Sequence, residues 1–499
     1  MSAAFRISPA LWDKIHHFAS FPQTGVSLQQ MVLFGQHPSQ GTLMKASQFL
    51  AQELPVRLAH RVKELDELPH NLSDMTSIRK VKNWYAQSFE ELISFPSLSL
   101  SPAARQSLFA HSDKENMNIY LPESLPNPSL VTSYLDGDGA AGGLTYGEKE
   151  GVVYGGKVGG GTYKGNGNGN GSNNGSGVCG VRNGNVKLRV AVERRYYAQT
   201  PSHVYPPEVH DYNARFTKTL DAIKRRHDPT VTTVAQGVLE WQRAKGIKPG
   251  MGLGLGPRHG YGPGGGGEVQ AWLDRFYMSR IGIRFLIGQH VALNTQQPHK
   301  DYVGIICTQA NIHDILQEAI ENARFVCEEH YAMFRGPPVQ LICPPDLTFA
   351  YVPGHLSHIV FELLKNSLRA VVERFGADYE DRAAKDPASA GYPPIKVIVV
   401  EGSEDITIKI SDEGGGIPRS AIPLIWTYMY TTMAGQSIDQ DFQAGDFQAP
   451  MAGFGYGLPL SRLYARYFGG DLRLISMDGF GTDVYIHLNK LSSSREPLP

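Results

Sequence analysis

Two glycine clusters near the C-terminal end constrain the fold of this chain more than any other feature of its 499 residues. The first is Asp412-Glu413-Gly414-Gly415-Gly416-Ile417-Pro418, and the second is Gly453-Phe454-Gly455-Tyr456-Gly457-Leu458-Pro459. Upstream of both lies Glu362-Leu363-Leu364-Lys365-Asn366. Glycine lets the backbone turn sharply and approach a ligand closely, and a glycine loop that opens a helix presents N–H groups to phosphate. In this order, the three segments predict a nucleotide site formed by a polar helix, an acidic strand end and a glycine loop.

The segment around Glu362 has the pattern of an amphipathic helix. At about 100° per residue, one side carries His358, Glu362, Lys365, Asn366 and Arg369, and the other side is apolar. An ordinary solvent-facing helix is also charged on its outer side, but the glycine clusters favour a side that faces a ligand. Asn366 offers a neutral oxygen to Mg²⁺, Glu362 is the candidate general base, and His358 is placed to relay its proton. Lys365 and Arg369 supply positive charge near phosphates.

Asp412 ends a predicted strand and is the candidate adenine ligand. A buried carboxylate at this position accepts a hydrogen bond from the exocyclic amine of adenine, which selects adenine over guanine. Gly414 and Gly416 let the backbone approach the base, and Thr482 is expected near Asp412 on the neighbouring strand. A plain strand-to-loop turn would explain Gly414, but it would not explain a run of glycines directly after an acid.

The second glycine cluster is predicted to bind the phosphates of ATP. Gly453, Gly455 and Gly457 precede a helix that begins near Leu458, so backbone N–H groups and a positive helix end face the ligand. The cluster is neither a Walker loop nor a Rossmann fingerprint, because its glycines alternate and no Gly-Lys-Ser/Thr follows. Residues 419–452, between the clusters, are expected to form a lid that orders on nucleotide binding.

Composition excludes several other classes of protein. A formal net charge of −1 argues against general nucleic-acid binding, which needs a basic surface to neutralise phosphates. No run approaches the roughly 18 to 20 apolar residues that span a bilayer, so no membrane span is expected. The four cysteines form no CxxC pair, which leaves a zinc site without support.

Periodicity predicts two domains of different type. Residues 10–96 and 208–310 are helical, with a capping box at Ser27 and Gln30 and a kink or a fresh helix start at Pro55. We predict that they form a four-helix-bundle-like domain, with helices near 212–239 and 268–294. A glycine-rich insert at 97–207 interrupts them and is expected to be disordered. Residues 311–490 alternate helices and short β-type runs, which predicts an α/β sandwich that binds ATP. Residues 491–499 form a C-terminal tail.

Several segments resemble known families. The order of the nucleotide segments is similar to the ATP-binding fold of bacterial histidine kinases and type II topoisomerases. More closely, the chain resembles the mitochondrial pyruvate dehydrogenase kinase family over about residues 10–96 and 210–499. The segments that carry this resemblance are Glu53-Leu54-Pro55-Val56-Arg57-Leu58-Ala59, Asn83-Trp84-Tyr85-Ala86-Gln87-Ser88, Leu273-Asp274-Arg275-Phe276-Tyr277-Met278-Ser279-Arg280, Gly453 to Tyr467 and the terminal Ser494-Arg495-Glu496-Pro497-Leu498-Pro499.

The resemblance implies a serine kinase that uses Mg-ATP, often with K⁺. Its substrate would be the E1α subunit of the pyruvate dehydrogenase complex, which phosphorylation inactivates. It would work in the mitochondrial matrix as a homodimer and dock through its helical domain on the lipoyl domains of the E2 core. The site roles implied are Glu362 as base with His358 beside it, Asn366 for Mg²⁺, Asp412 and Thr482 for adenine, and Arg369 with Gly453, Phe454, Gly455, Tyr456, Gly457 and Leu458 for phosphates.

Three alternative functions stay open, and the chain departs from the family pattern at one point. Branched-chain 2-oxoacid dehydrogenase kinases share the ATP segments, and Val303 to Thr308 is similar to that branch. The Asp-Trp tail that animal members use across the dimer is absent, which puts this way of coupling subunits in doubt. A two-component histidine kinase would need a phosphoacceptor, for which His227 before Pro229 is the candidate. An ATP-gated clamp without kinase activity is disfavoured, because the helical domain precedes the ATP domain.

Overall fold

The computed structural model describes residues 5–36, 38–98, 205–247, 266–297, 299–377, 391–432 and 455–498, with Leu125, Asn127, Leu253 and Tyr379 as single positions. Apart from its two ends and Leu125 and Asn127, the predicted glycine-rich insert at 97–207 lies outside the described residues. The same holds for 433–452 of the expected lid and for Gly453 and Phe454.

The N-terminal region is helical, as predicted. Its helices are α1 (Pro9–Ala19), α2 (Leu28–Gly35), α3 (Gln40–Asp66), α4 (Thr76–Ile93), α5 (Pro207–Arg226), α6 (Thr230–Ala244) and α7 (Gly266–Thr295), with a 3₁₀ segment at Pro69–Asp74. Helices α3, α4, α5 and α7 pack around a common apolar core. The capping box is confirmed, since Ser27 Oγ accepts from Gln30 N and Gln30 Oε1 accepts from Ser27 N. Helix α3 continues through Pro55, so no fresh helix starts there.

The C-terminal region contains a mixed sheet with helices on one face. The strands of this region are β1 (Tyr302–Val303), β2 (Ile306–Asn311), β3 (Val339–Ile342), β4 (Thr348–Tyr351), β5 (Ile395–Glu401), β6 (Asp405–Asp412), β7 (Asp471–Met477) and β8 (Gly481–Asn489). Its helices are α8 (Ile312–His330), α9 (Pro353–Phe375) and α10 (Gly457–Tyr467), with a 3₁₀ turn at Leu424–Trp426. The five-stranded sheet has the order β3-β5-β6-β8-β7, with β3 and β5 parallel and the other pairs antiparallel.

Strand register places the two candidate adenine ligands side by side. Along β6, burial alternates so that Ile406, Ile408 and Ile410 face the helices, and Asp412 continues on that face because the side-chain period of a strand is two. Asp412 pairs with Thr482 of β8. A second sheet, β1-β2-β4, was not predicted from periodicity. The two-region fold class is confirmed, and the domain boundaries stay predictions.

The C-terminal tail folds back onto the helical region. Gln29 N donates to Ser492 O (3.1 Å), and Glu496 N donates to Val26 O (3.1 Å). Arg57 of α3 and Glu496 form a buried ion pair of 2.6 Å. Helix α7 also packs against α10, so the two regions share one apolar core. In the described part of the chain, no helix has the length and apolar character that crossing a membrane requires.

Candidate nucleotide-binding site

A cavity of about 620 Å³ lies between α9, the ends of β6 and β8, and the start of α10. Its volume is within the range of small-molecule sites. The predicted residues that line it are Glu362, Asn366, Arg369, Asp412, Gly414, Gly416, Gly455, Gly457, Leu458 and Thr482. Segments far apart in sequence therefore meet at one cavity, as their pattern predicted. The individual binding and catalytic roles stay predictions.

Asp412 is held at one end of the cavity by hydrogen bonds from two directions. Its carboxylate accepts from Ser367 Oγ of α9 at Oδ2 (2.9 Å) and from Gly414 N at Oδ1 (2.9 Å). The residue is only 6% exposed, and burial raises the pKa of this carboxyl because it disfavours the charged form, while both hydrogen bonds oppose the shift. These contacts fix the direction in which Asp412 presents its oxygens.

The glycine turn after Asp412 is tied to the turn between β7 and β8. Gly416 has φ +72°, and a side chain there would overlap the carbonyl of Met477, so only glycine fits without strain. Arg374 donates from Nη1 to Glu413 O (2.8 Å) and Phe480 O (2.6 Å) and from Nη2 to Gly479 O (3.2 Å). This guanidinium clamps the two turns that form the rim of the cavity.

Thr482 belongs to a small hydroxyl network at the same end. Its Oγ1 lies 2.9 Å from Ser476 Oγ of β7, and Ser476 Oγ accepts from Ile417 N at 2.7 Å. The chain after the glycine turn is thus bound to β7 through Ser476. Thr482 lines the cavity beside Asp412, which is the placement expected of a second adenine ligand.

Glu362 lies where α9 meets the start of α10. The residue is 8% exposed, and its Oε1 pairs with Lys365 Nζ at 2.9 Å. The α-carbon of Gly457 is so near the carboxylate that a Cβ would overlap Glu362 Oε2. Asn366 lies one turn further along α9 and faces the cavity. The candidate base is therefore next to the N-terminus of α10, where phosphate would be expected to bind.

Arg369 and the start of the glycine loop also line the cavity. Arg369 Nη2 donates to Thr432 Oγ1 (3.1 Å), and Nε lies 3.4 Å from Glu373 Oε1. Gly455 packs directly on the backbone of Tyr430. Helix α10 begins at Gly457, so its unpaired N–H groups are available at the cavity.

Two predicted site residues have their side chains elsewhere. Tyr456 is buried against Tyr277 of α7 and Tyr428, with ring centroids 5.8 Å and 5.0 Å away, and it does not line the cavity. His358 packs edge-on against Tyr464 of α10 at 5.0 Å and likewise is not among the lining residues. Tyr456 can reach a phosphate only through its backbone, and His358 can act only through Glu362, one turn away.

Comparison with known proteins agrees with this geometry. The family model described as mitochondrial branched-chain alpha-ketoacid dehydrogenase kinase matches residues 25–307. The model described as histidine kinase-, DNA gyrase B-, and HSP90-like ATPase matches residues 351–492, which include α9, β6, α10 and β8. The chain is 40% identical to the mitochondrial [pyruvate dehydrogenase (acetyl-transferring)] kinase of Schizosaccharomyces pombe over 99% of both chains. The chain belongs to the mitochondrial 2-oxoacid dehydrogenase kinase family.

Two further mitochondrial kinases are also similar to this chain. The mitochondrial [pyruvate dehydrogenase (acetyl-transferring)] kinase of Arabidopsis thaliana is 36% identical over 98% of this chain and 97% of its own. Human [pyruvate dehydrogenase (acetyl-transferring)] kinase isozyme 3, mitochondrial, is 32% identical over 97% of this chain and 88% of its own. The similarity extends over nearly the whole chain rather than the ATP-binding region alone.

Three polar residues of this family member escaped the sequence prediction. Ser367, Arg374 and Ser476 contact Asp412, the glycine turn and Ile417. Ser367 directly follows Asn366, on a side of α9 that is otherwise buried, and a buried hydroxyl usually has a hydrogen-bond partner. That was the one available signal. The contacts of Arg374 and Ser476 depend on how separate turns meet, which periodicity does not give.

The residues present fit a Mg²⁺ ion held mainly by nucleotide. Among the described residues, no group of three or more His, Cys, Asp or Glu side chains could hold a metal ion. Asn366 offers a single neutral carboxamide oxygen at the cavity wall. Mg²⁺ commonly binds through one or two protein oxygens and completes its shell with phosphate oxygens and water. This donor set therefore suits a metal that arrives with ATP.

Proposed function

We propose that this chain is an ATP-dependent protein-serine kinase that phosphorylates and thereby inactivates the E1α subunit of the mitochondrial pyruvate dehydrogenase complex. One observation carries the proposal: a single cavity has Asp412 at one end and Glu362, beside the first turn of α10, as a candidate base. Relatives named as mitochondrial [pyruvate dehydrogenase (acetyl-transferring)] kinases, 40% and 36% identical over nearly the whole chain, support the choice of substrate.

At the adenine end, selectivity follows from hydrogen-bond polarity. Asp412 is oriented by Ser367 and Gly414 and offers oxygens that accept hydrogen bonds. The exocyclic amine of adenine donates to such an oxygen, whereas guanine presents a carbonyl at that position and would repel it. A site built around a buried acceptor discriminates strongly against a ligand that lacks the donor.

At the phosphate end, the chain's own residues position the phosphates of ATP and neutralise their charge. The N-terminus of α10 and Arg369 face the phosphates, and Asn366 would hold Mg²⁺, which neutralises charge on the phosphate oxygens when bound. Glu362 accepts the proton of the incoming serine hydroxyl, and Lys365, 2.9 Å from Oε1, holds the carboxylate in place. His358, in the preceding turn of α9, supports Glu362 and Lys365. Phosphoryl transfer needs little beyond such positioning and charge neutralisation.

The proposal extends to cofactors, partners and compartment. We expect Mg²⁺ with ATP because of Asn366, while the use of K⁺ rests on the family resemblance alone. A homodimer, docking on the lipoyl domains of the E2 core and residence in the mitochondrial matrix rest on the same resemblance, and the names of the relatives support a mitochondrial location. Residues 492–498 engage this chain's own helical region.

The histidine kinase alternative finds no support at its candidate acceptor. His227 is 2% exposed, its Nε2 lies 3.0 Å from Ser88 Oγ, and its ring stacks on Tyr85 at 4.3 Å. Burial lowers the pKa of His227 to about 3. An imidazole packed in this way is not accessible to a phosphoryl donor.

Radiolabelled ATP tests the proposal with separate pyruvate and branched-chain complexes, each with and without lipoylated E2. We expect acid-stable phosphoserine on pyruvate dehydrogenase E1α. Glu362→Gln should lower this rate by roughly 10²–10⁴-fold, as for a lost general base, while ATP still binds. Faster labelling of the branched-chain complex would instead assign the chain to the branched-chain kinases. The family model that matches residues 25–307 is named after that branch. Full activity of Glu362→Gln would remove this residue from the mechanism.

A further inference from the structure

Helix α7 of the helical region holds one wall of the ATP cavity. Gln270 and Asp274 lie one turn apart on α7 and reach a stretch of chain at 424–432, which we term the wall segment. Gln270 Nε2 donates to Trp426 O (3.2 Å), and Gln270 Oε1 accepts from Tyr428 N (3.0 Å). The hydroxyl of Tyr428 donates to Asp274 Oδ1 (2.8 Å). Both side chains thus hold Tyr428, and Gln270 also holds Trp426.

The anchored part of the wall segment is buried and conformationally unusual. Tyr428 is fully buried and packs on Tyr277 of α7, with ring centroids 5.6 Å apart. The next residue, Met429, is also buried and has φ +65°. A non-glycine residue in the left-handed region is strained and persists only where its surroundings determine it. The contacts from α7 to Tyr428 supply that determination.

Directly after Met429, the wall segment reaches the cavity. Tyr430, Thr431 and Thr432 are lining residues, and Thr432 Oγ1 accepts from Arg369 Nη2 at 3.1 Å. The backbone of Tyr430 is also the surface on which Gly455 packs. The position of Tyr428 therefore sets the position of Arg369 and of the start of the phosphate loop.

We propose that Gln270 and Asp274 are positioning residues for the nucleotide. Through Tyr428 they hold the wall segment, and through the wall segment they set the affinity of the cavity for Mg-ATP. The inference rests on the proposed function of this cavity as an ATP site. It makes nucleotide affinity depend on the placement of α7, so that any ligand or partner that displaces α7 in the helical region changes ATP binding.

The test compares Tyr428→Phe and Asp274→Leu with wild type. Each removes the hydrogen bond between the Tyr428 hydroxyl and Asp274, because leucine has no acceptor oxygen, and nearly keeps the size of the side chain. Loss of a hydrogen bond to a carboxylate should raise the Kd and KM for Mg-ATP by about tenfold. Because the catalytic groups are untouched, kcat should change by less than about twofold. The double variant should lose no more affinity than the Asp274 variant alone, since the hydrogen bond that Tyr428→Phe removes is already absent there.

Tyr392→Phe is the matched control. Tyr392 is also a buried tyrosine of the ATP-binding region, and its hydroxyl donates to Gly376 O (2.5 Å), but it does not line the cavity. It should lower stability without changing ATP affinity. Wild-type affinity in Tyr428→Phe and Asp274→Leu, or an equal loss in Tyr392→Phe, would overturn the inference and leave the proposed kinase intact. Failure of the wild type itself to bind Mg-ATP would overturn both.

Discussion

At the scale of single residues, Ser367 determines how Asp412 responds to pH. Burial raises the pKa of Asp412, Asp483 acts in the same direction, and the Ser367 hydrogen bond opposes both. We expect Ser367→Ala to raise the pKa of Asp412 further and to weaken Mg-ATP binding by up to about tenfold near neutral pH. Because adenine needs the ionised carboxylate, affinity is present above this pKa and is lost as the pH falls through it. The loss should begin at a higher pH in the variant.

Calorimetric titration of Mg-ATP between about pH 5 and pH 8 measures this shift. Unfolding would not mimic it, because a carboxyl whose folded-state pKa is raised favours the folded state as the pH falls. Ser47→Ala serves as the control, since Ser47 is also a buried helical serine, and its Oγ donates to Asn213 Oδ1 (3.1 Å) far from the cavity. Parallel affinity curves for Ser367→Ala and wild type would contradict the assigned role of this hydroxyl.

Local sequence patterns predict part of the candidate site. Glu362, Asn366 and Asp412 were predicted to share one site because helical period, strand end and glycine context each limit where a polar side chain can point. Tyr456 misled this reasoning: it lies between glycines, but its ring fills a gap between α7 and the wall segment. Whether an aromatic residue in a glycine loop faces ligand or core depends on the neighbouring domain, which local sequence does not specify.

At the scale of elements, the glycine turn after β6 sets the shape of the adenine end. Gly416 combines φ +72° with close approach to the carbonyl of Met477, whereas Gly246 has φ +69° and open space around it. Gly246→Ala should therefore cost only the left-handed conformation, about 1–2 kcal/mol. We expect Gly416→Ala to cost more than this and to abolish measurable ATP binding, because the turn must move. Denaturant unfolding of both variants measures the loss of stability, and calorimetry measures ATP binding. An equal loss of stability in the two variants, with ATP binding retained, would argue against the close approach at Gly416.

Elements were predictable where their pattern is long and regular. Strand β6, which Asp412 ends, and helices α7 and α9 follow the predicted strand end and helical period closely. Strand β1, of two residues, is too short for a period to emerge. Pro55 predicted a kink or a fresh helix start, and the fresh start is wrong because α3 continues through this residue. Burial of the apolar side of α3 against α4 and α7 outweighs the lost backbone hydrogen bond.

At the scale of the whole molecule, the C-terminal tail joins regions that sequence analysis treated separately. Arg57 lies in α3 and Glu496 near the chain end, yet their side chains form a pair of 2.6 Å with no solvent exposure. Arg57 also contacts Glu53 Oε1 (3.1 Å) and Thr24 O (2.7 Å). No periodicity links such distant positions, although Arg57 lies in a segment that carried the family resemblance.

Neutralising this pair should weaken the whole fold rather than the tail alone. Glu496→Gln leaves the Arg57 charge buried with Glu53 as its remaining carboxylate, and breaking a buried pair in this way typically costs about 3–5 kcal/mol. Glu401 and Lys490 form an ion pair of the same 2.6 Å length on the surface, so Glu401→Gln should cost less than about 1 kcal/mol. Because Glu496 connects α3 to the ATP-binding region, the denaturant transition of Glu496→Gln should also broaden or separate into two. The opposite result would be an equal loss of unfolding free energy in the two variants, with one sharp transition in each. The tail would then only cover the surface of α3, and the shared apolar core alone would join the two regions.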